Sequence, residues 1–198
     1  VIADRTDIKK ENTSIPMTQT SPAPAARKER LQHLLELDAR WSAKLTVAQR
    51  HNGWRNFFRF MAHSGDSWFM IPVMGVIWLA GDGLWKWRTL TMFVTMCITA
   101  LVAVGSKQLI RRRRPEGDWG LVYRSTDPHS FPSGHAARLV MLALLSLQLG
   151  PWWLCLLLFC WAPLVAVARV AMGVHYLSDM VGGAALGIAF GVLFLIIL

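Results

Sequence analysis

The chain of 198 residues carries a formal charge of +9, is 54% hydrophobic and has ten tryptophans, with a mean hydropathy of +0.36. The apolar residues gather almost wholly in residues 68–198, which excludes an ordinary soluble domain. Basic residues flank the apolar stretches, so anionic lipid headgroups are the expected partner and nucleic acid is not.

Residues 1–11 are charged and hold no apolar run of signal-peptide length, so membrane insertion is expected to be directed by an internal segment. Residues 1–26, with Pro16, Pro22 and Pro24 among Ser, Thr and Ala, lack apolar periodicity and are expected to form a flexible polar tail. Over 27–49, Leu31, Leu34, Leu35, Leu37 or Asp38, Trp41 and Leu45 recur at roughly helical spacing with charges between them. That stripe predicts an amphipathic helix, either lying at the membrane surface with Arg30, Arg40 and Lys44 near the headgroups or packed on its own membrane domain. Residues 54–64 are apolar but too short and too charged to cross a bilayer, and a second interfacial helix is expected, completing an interfacial region over 27–66.

The region 67–198 reads as an all-α, polytopic membrane bundle. Five spans are predicted, at 68–84, 90–107, 136–149, 152–168 and 177–198. Several are short against the roughly 20 residues that a bilayer of about 30 Å requires. The first two are joined by a turn around 83–88, and the third and fourth at Gly150 and Pro151. The long polar loop 111–135 and the segment 169–179 are separated by two spans and therefore emerge on one face. Cys97, Cys155 and Cys160 lie inside apolar segments without metal-ligand spacing and are expected to be small buried hydrophobes. Gly183, Gly187 and Gly191, spaced by four, place glycines on one face of the last span and permit close helix approach.

Three polar clusters stand at the same ends of these helices: Lys107 with Arg111, Arg112, Arg113, Arg114 and Pro115; Pro132, Ser133, Gly134 and His135; and Arg169, His175 and Asp179. Taken singly, each has an ordinary structural explanation: a membrane-surface anchor, a helix cap, and a solvent-side pair near a helix start. Taken together they describe an anion site. Ser133 suits an N-cap, leaving backbone N–H groups free to face an anion. A helical spacing of four lets the Asp179 carboxylate accept from one ring nitrogen of His175 and leave the other basic, as a nucleophilic histidine needs. The guanidinium of Arg169 offers bidentate contacts to phosphoryl oxygens.

These residues resemble the three-part pattern of the type 2 phosphatidic acid phosphatase family. The first part reads KQLIRRRRP from Lys107, the second PSGH from Pro132, and the third ARVAMGVHYLSD from Ala168. The match covers residues 57–198 and departs from the pattern at Ala168, where the family usually has serine. A further departure is the count of five spans where these membrane enzymes typically have six.

The resemblance implies a membrane lipid phosphatase in which His175 attacks phosphorus, Asp179 supports its imidazole, and His135 protonates the leaving oxygen and then activates water. Lys107, Arg114, Arg169, Ser133 and the Gly134 backbone would hold the nonbridging oxygens. No metal or other cofactor is expected in that scheme, and no obligate protein partner. The implied substrate is a lipid phosphate of the phosphatidylglycerol phosphate, phosphatidic acid or polyprenyl (pyro)phosphate class; the alternatives are a lipid-linked sugar phosphate phosphatase and a non-catalytic lipid-phosphate binding or transport protein. Eleven Lys/Arg precede Trp68, whereas the opposite connections offer Lys86 and Arg88, so the site is expected on the cytoplasmic face of a bacterial inner membrane.

Overall fold

A computed structural model describes residues 22–46, 52–116 and 127–198, and the expectations for residues 1–21 and for the middle of the polar loop, 117–126, lie outside the described residues. Seven helices are found there: α1 (Pro22–Leu45), α2 (Asn52–Ser64), α3 (Ser67–Ala80), α4 (Gly83–Ile110), α5 (Gly134–Leu149), α6 (Trp152–Ala171) and α7 (Leu177–Ile197). By length and composition α4, α6 and α7 can cross a membrane, while α3 and α5 are apolar but have 14 and 16 residues. The chain is thus an all-α polytopic membrane bundle.

The bundle is organised around α5, which packs on α7, α6 and α4. Leu139, Met141, Leu142, Leu145 and Leu149 of α5 are all buried, and they meet Met70 and Met74 of α3, Met92 and Met96 of α4, and Val165 of α6 in one core. At about 1.5 Å per residue α5 is only about 24 Å long, short of the roughly 30 Å hydrocarbon layer. Its neighbours sheathe it, so its length need not match the lipid. The outer faces carry large exposed apolar side chains, among them Trp68, Leu79, Leu101, Leu109, Trp152, Leu157, Val181 and Ile196, as a lipid-facing surface requires. Polar groups within α4 are satisfied locally: the Thr95 and Thr99 hydroxyls donate to the carbonyls of Thr91 and Thr95.

Several expected boundaries shift. The turn between the first two spans falls at Gly81 and Asp82, not over 83–88, because Asp82 caps α4 by accepting from the N–H of Trp85 at 2.9 Å. Trp85, Lys86, Trp87 and Arg88 thereby join the first turns of α4. At the other end of the interfacial region α1 begins at Pro22, inside the stretch expected to be a tail. The cysteines are not buried as expected: Cys97 and Cys155 are partly exposed and Cys160 is exposed. A bilayer solvates apolar side chains, so a small hydrophobe on a spanning helix gains little from being turned inward.

α2 is strongly two-faced. Phe58, Met61 and Ala62 pack on Ala168, Met172 and Val174 at the end of α6, and Trp54, Phe57 and Phe60 are exposed. From Leu35 onward α1 meets the bundle through polar residues, Asp38 and Ser42, while Leu35, Trp41 and Leu45 of the predicted stripe stay exposed.

Candidate active site

The loop 111–135 and the segment 169–179 meet at one end of the bundle. α4 stops at Arg111, whose left-handed backbone (φ 52°) reverses the chain so that Arg112 to Arg114 fold back over the helix ends. Ser130 N donates to Arg112 O at 2.8 Å, tying the two limbs of the loop together. On the other side Gly173 takes a left-handed φ of 67°, which a side chain would resist, and the tight turn it makes after α6 brings His175 back beneath Arg114.

His175 and Asp179 are both buried. They are not stacked along one helix as their spacing predicts, since α7 begins at Leu177 and His175 lies just before it. The pairing nevertheless forms, with His175 Nδ1 and Asp179 Oδ2 at 3.3 Å. On the other side of the ring, Nε2 lies 3.2 Å from Arg114 Nη1. A guanidinium can only donate, so Nε2 is the acceptor and Nδ1 carries the hydrogen directed to Asp179. Burial, and then the positive charges of Arg169, Arg114 and Lys107, hold His175 well below the usual imidazole range, so the ring is neutral with its lone pair on Nε2.

The cations converge around that nitrogen. Arg114 donates to Val174 O at 2.8 Å and to the backbone and side chain of Asp127 at 2.7 Å, and Lys107 also pairs with the Asp127 carboxylate. Arg169, buried at the end of α6, lies 3.8 Å from Asp66. Ser133 is fully buried and caps α5, its hydroxyl accepting from Ala136 N, while Ser133 N donates to Asp179 O at 3.0 Å. The start of α5 is thus fixed directly to the helix that carries the carboxylate. A Cβ at Gly134 would meet nothing within 4 Å, so the backbone there is open to approach.

His135 sits in the first turn of α5 and its Nε2 lies 2.6 Å from Asp66 Oδ1. The other oxygen of Asp66 pairs with His63 Nδ1 at 2.8 Å. Burial alone would raise the Asp66 pKa, but the hydrogen bonds from His135 and His63 and the charges of His135 and Arg169 outweigh it and hold it at about 2. Asp66 is therefore an ionised partner that orients His135 and leaves Nδ1 as the nitrogen it does not engage.

All eight residues singled out in the sequence, Lys107, Arg114, Ser133, Gly134, His135, Arg169, His175 and Asp179, come together in this network. Three participants escaped the sequence reading, Asp66, Asp127 and Asp38, while Arg112 was read there only as one member of the arginine run. The available signal was a carboxylate at the mouth of an apolar helix, which for Asp66 stands beside His63 at the entrance to α3. Ala168, where the resembled pattern has serine, is fully buried in the apolar cluster with Ala62, Met172 and Val174, so a methyl serves packing there. Among the described residues no group of three or more His, Cys, Asp or Glu is arranged to hold a metal ion.

Comparison with known proteins identifies the family. The model of the PAP2 superfamily matches residues 88–198. The chain is 33% identical over 146 residues to the decaprenylphosphoryl-5-phosphoribose phosphatase of Mycobacterium tuberculosis, covering 67% of this chain and 74% of that protein. It is 30% identical over 142 residues to phosphatidylglycerophosphatase B of Bacillus subtilis, covering 65% of this chain and 67% of the relative. In fold it is similar to the crystal structure of a transmembrane PAP2 type phosphatidylglycerolphosphate phosphatase from Bacillus subtilis, with a TM-score of 0.64 and 24% identity over 81% of this chain and 84% of that one. With the family's matched stretch holding every residue of the cationic pocket and both histidines, the chain belongs to the PAP2 superfamily, in its membrane lipid phosphatase branch.

Proposed function

We propose that this enzyme hydrolyses a phosphomonoester or pyrophosphate of a membrane lipid through a phosphohistidine on His175. The observation that supports this most directly is the tautomer of His175, whose Nδ1 hydrogen is spent on Asp179 while the Nε2 lone pair faces the Arg114 guanidinium. A phosphoryl group drawn in by Lys107, Arg114 and Arg169 would bring phosphorus to that nitrogen. Nε2 then attacks, the bond from phosphorus to the lipid oxygen breaks, and His135, entering the step as an imidazolium paired with Asp66, gives that oxygen its Nδ1 proton. In the second half His135 takes a proton from water, the hydroxide attacks the phosphohistidine, and inorganic phosphate leaves with His175 restored.

With an undecaprenyl-diphosphatase of Sulfolobus acidocaldarius, 29% identical over 136 residues, the relatives' names span a lipid-linked sugar phosphate, a prenyl diphosphate and a phosphatidylglycerophosphate. Their common element is a phosphate at the membrane surface on an apolar anchor, and that is the substrate class we assign. Within it the lipid-linked sugar phosphate reading is favoured by the 33% identity to the mycobacterial phosphatase. We place the site on the cytoplasmic face, with α3 and α5 completing five spans, because the basic excess before Trp68 shares a face with the site in that arrangement. A single cysteine at Asp118, on a background lacking the three native cysteines, should resist an impermeant reagent added outside intact cells. Labelling there while a cysteine at Pro24 stays protected would overturn both the orientation and the span count.

The decisive experiment incubates the full chain with a panel of lipids labelled in the terminal phosphate, phosphatidic acid, phosphatidylglycerol phosphate, undecaprenyl diphosphate and a prenyl-linked pentose phosphate, and quenches in base, where phosphohistidine survives. Label on His175 and none in His175→Ala is the expected result. Binding of the same lipids with no phosphate released would instead make the chain a lipid-phosphate binding or transport protein.

A further inference from the structure

The site contains an assembly that the reaction does not use. Arg112 lies in the arginine run but not among its phosphate-holding members, and its side chain is largely buried. Nη1 donates to Asp179 Oδ1 at 2.8 Å and to Ser178 Oγ at 2.5 Å, while Nη2 donates to Asp38 Oδ2 at 2.6 Å. The guanidinium also lies over the Tyr176 ring, 4.0 Å from its centroid. One planar cation therefore joins the carboxylate behind the nucleophile to a carboxylate of α1.

α1 makes a second, independent connection. The start of a helix leaves its first N–H groups without helical partners. At α7 the N-cap is Tyr176, whose side chain makes no cap hydrogen bond, and α1 supplies two acceptors. Leu177 N donates to Ser42 Oγ at 3.0 Å and Ser178 N to Asp38 Oδ1 at 3.1 Å. Ser178 Oγ donates to Asp38 Oδ2 at 2.5 Å. The third, Asp179 N, donates to Tyr176 O. Ser42 and Asp38 stand one helical turn apart on α1, so one face caps α7 from outside. Both precede residues 88–198, the stretch shared with the family.

We infer that Asp38, Ser42 and Arg112 are positioning residues, a clamp from α1 that fixes the first turn of α7 and thereby sets the angle at which Asp179 holds His175. This deepens the phosphohistidine reading and rests on it. Asp179 Oδ1 is taken by Arg112 and, more distantly, by Ser130 Oγ at 3.4 Å, which leaves Oδ2 for Tyr176 N and His175. Loosening the clamp frees Asp179 to rotate about its χ angles, and the His175 ring then loses its fixed tautomer and direction. Phosphate binding, which falls to Lys107, Arg114 and Arg169, is untouched. The charged or titratable groups around Asp179 are Arg112 and Arg114 from the loop after α4, His175 and Tyr176 from the turn before α7, and Asp38 from α1.

The test measures kcat, KM, pH profile and thermal unfolding on the full-length protein in detergent micelles, with the panel lipid hydrolysed fastest. Asp38→Asn should lower kcat about 10-fold with KM within about twofold, and Asp38→Asn with Arg112→Ala should lose less than the product of the two single losses, because the residues act through one network. Arg112→Lys should recover little of the kcat lost in Arg112→Ala, since an ammonium keeps the charge but not the fork. Where Arg112→Ala fails to fold, Arg112→Lys and Asp38→Asn carry the same comparison. Unchanged kcat and pH profile with only a lowered unfolding temperature would overturn the clamp and reduce α1 to a structural brace. Normal turnover in His175→Ala, by contrast, sinks the phosphohistidine reading itself.

Discussion

Arg114 Nη1 stands 3.2 Å from Nε2 of His175, and because a guanidinium has only hydrogens to offer, that contact marks Nε2 as the ring nitrogen that carries the lone pair. In our proposal it also puts one oxyanion donor beside the atom that attacks phosphorus. Arg114→Lys keeps a charge but loses both the forked contact to Asp127 and the hold on His175. We expect kcat to fall about 100-fold with the fold intact, checked by steady-state kinetics alongside thermal unfolding. An unchanged kcat would remove Arg114 from transition-state stabilisation.

Asp66 orients His135, so its loss should act on leaving-group departure. Asp66→Asn should cut kcat for a lipid phosphate about 10-fold to 100-fold and cost much less with an aryl phosphate, whose oxygen leaves without a proton. Equal losses on the two substrates would mean that Asp66 supports the fold alone. The Asp66 carboxylate is held at about 2 against an ordinary value of 3.8. Its stabilising contribution is thus complete above pH 4 and disappears as pH falls from there toward about 2.

The pH behaviour of His175 has the same sign in a higher pH window. Its pKa is depressed, so as pH drops through the ordinary imidazole value of 6.5 the unfolded chain takes up a proton that the folded one refuses. Stability therefore declines below pH 6.5, and His175→Gln should flatten that part of the unfolding-temperature profile. In kcat/KM, corrected for titration of the substrate phosphate, the acid limb assigned to His175 should lie below 6.5. A limb at or above that value contradicts a neutral, buried nucleophile.

Turnover should persist after exhaustive chelation. The charges that balance the transferred phosphoryl group in our reading are Lys107, Arg114 and Arg169. Activity measured after EDTA treatment, with metal analysis of the protein, is expected within about twofold of the untreated enzyme. Loss restored by one specific divalent cation would require a different account of phosphate binding.

The contrast between what was legible and what was not follows from the range of each interaction. The apolar helices, the Ser133 cap and the meeting of the loop after α4 with the turn before α7 were readable, because each depends on composition, local spacing or the parity of spans. Asp66 with His135 and Asp38 with Arg112 are separated by 69 and 74 residues, and no periodicity links such partners. α1 misled for another reason. Its leucine stripe has the spacing of a buried face, yet beside a bilayer apolar residues can face outward, and the inward contact passed to Asp38 and Ser42. The spacing of His175 and Asp179 predicted the right pair through the wrong geometry, since the contact crosses a helix start.

The glycine face of α7 carries a consequence for how freely this enzyme can vary. A Cβ on Gly183 would stand 2.4 Å from Ser133 O, and one on Gly187 would stand 2.4 Å from Ala137 O. Main chain rests on main chain there, with no rotamer between the two helices to absorb a change. The lipid-facing positions of α7, such as Val181 and Ile196, can drift with whatever membrane surrounds them. Gly183 and Gly187 cannot admit a methyl group without levering the opening turn of α5, and the Ser133–His135 segment on it, away from the carboxylate of Asp179. A substitution in the greasy interior at Gly187 thus belongs, in its effect, with lesions of the phosphate pocket.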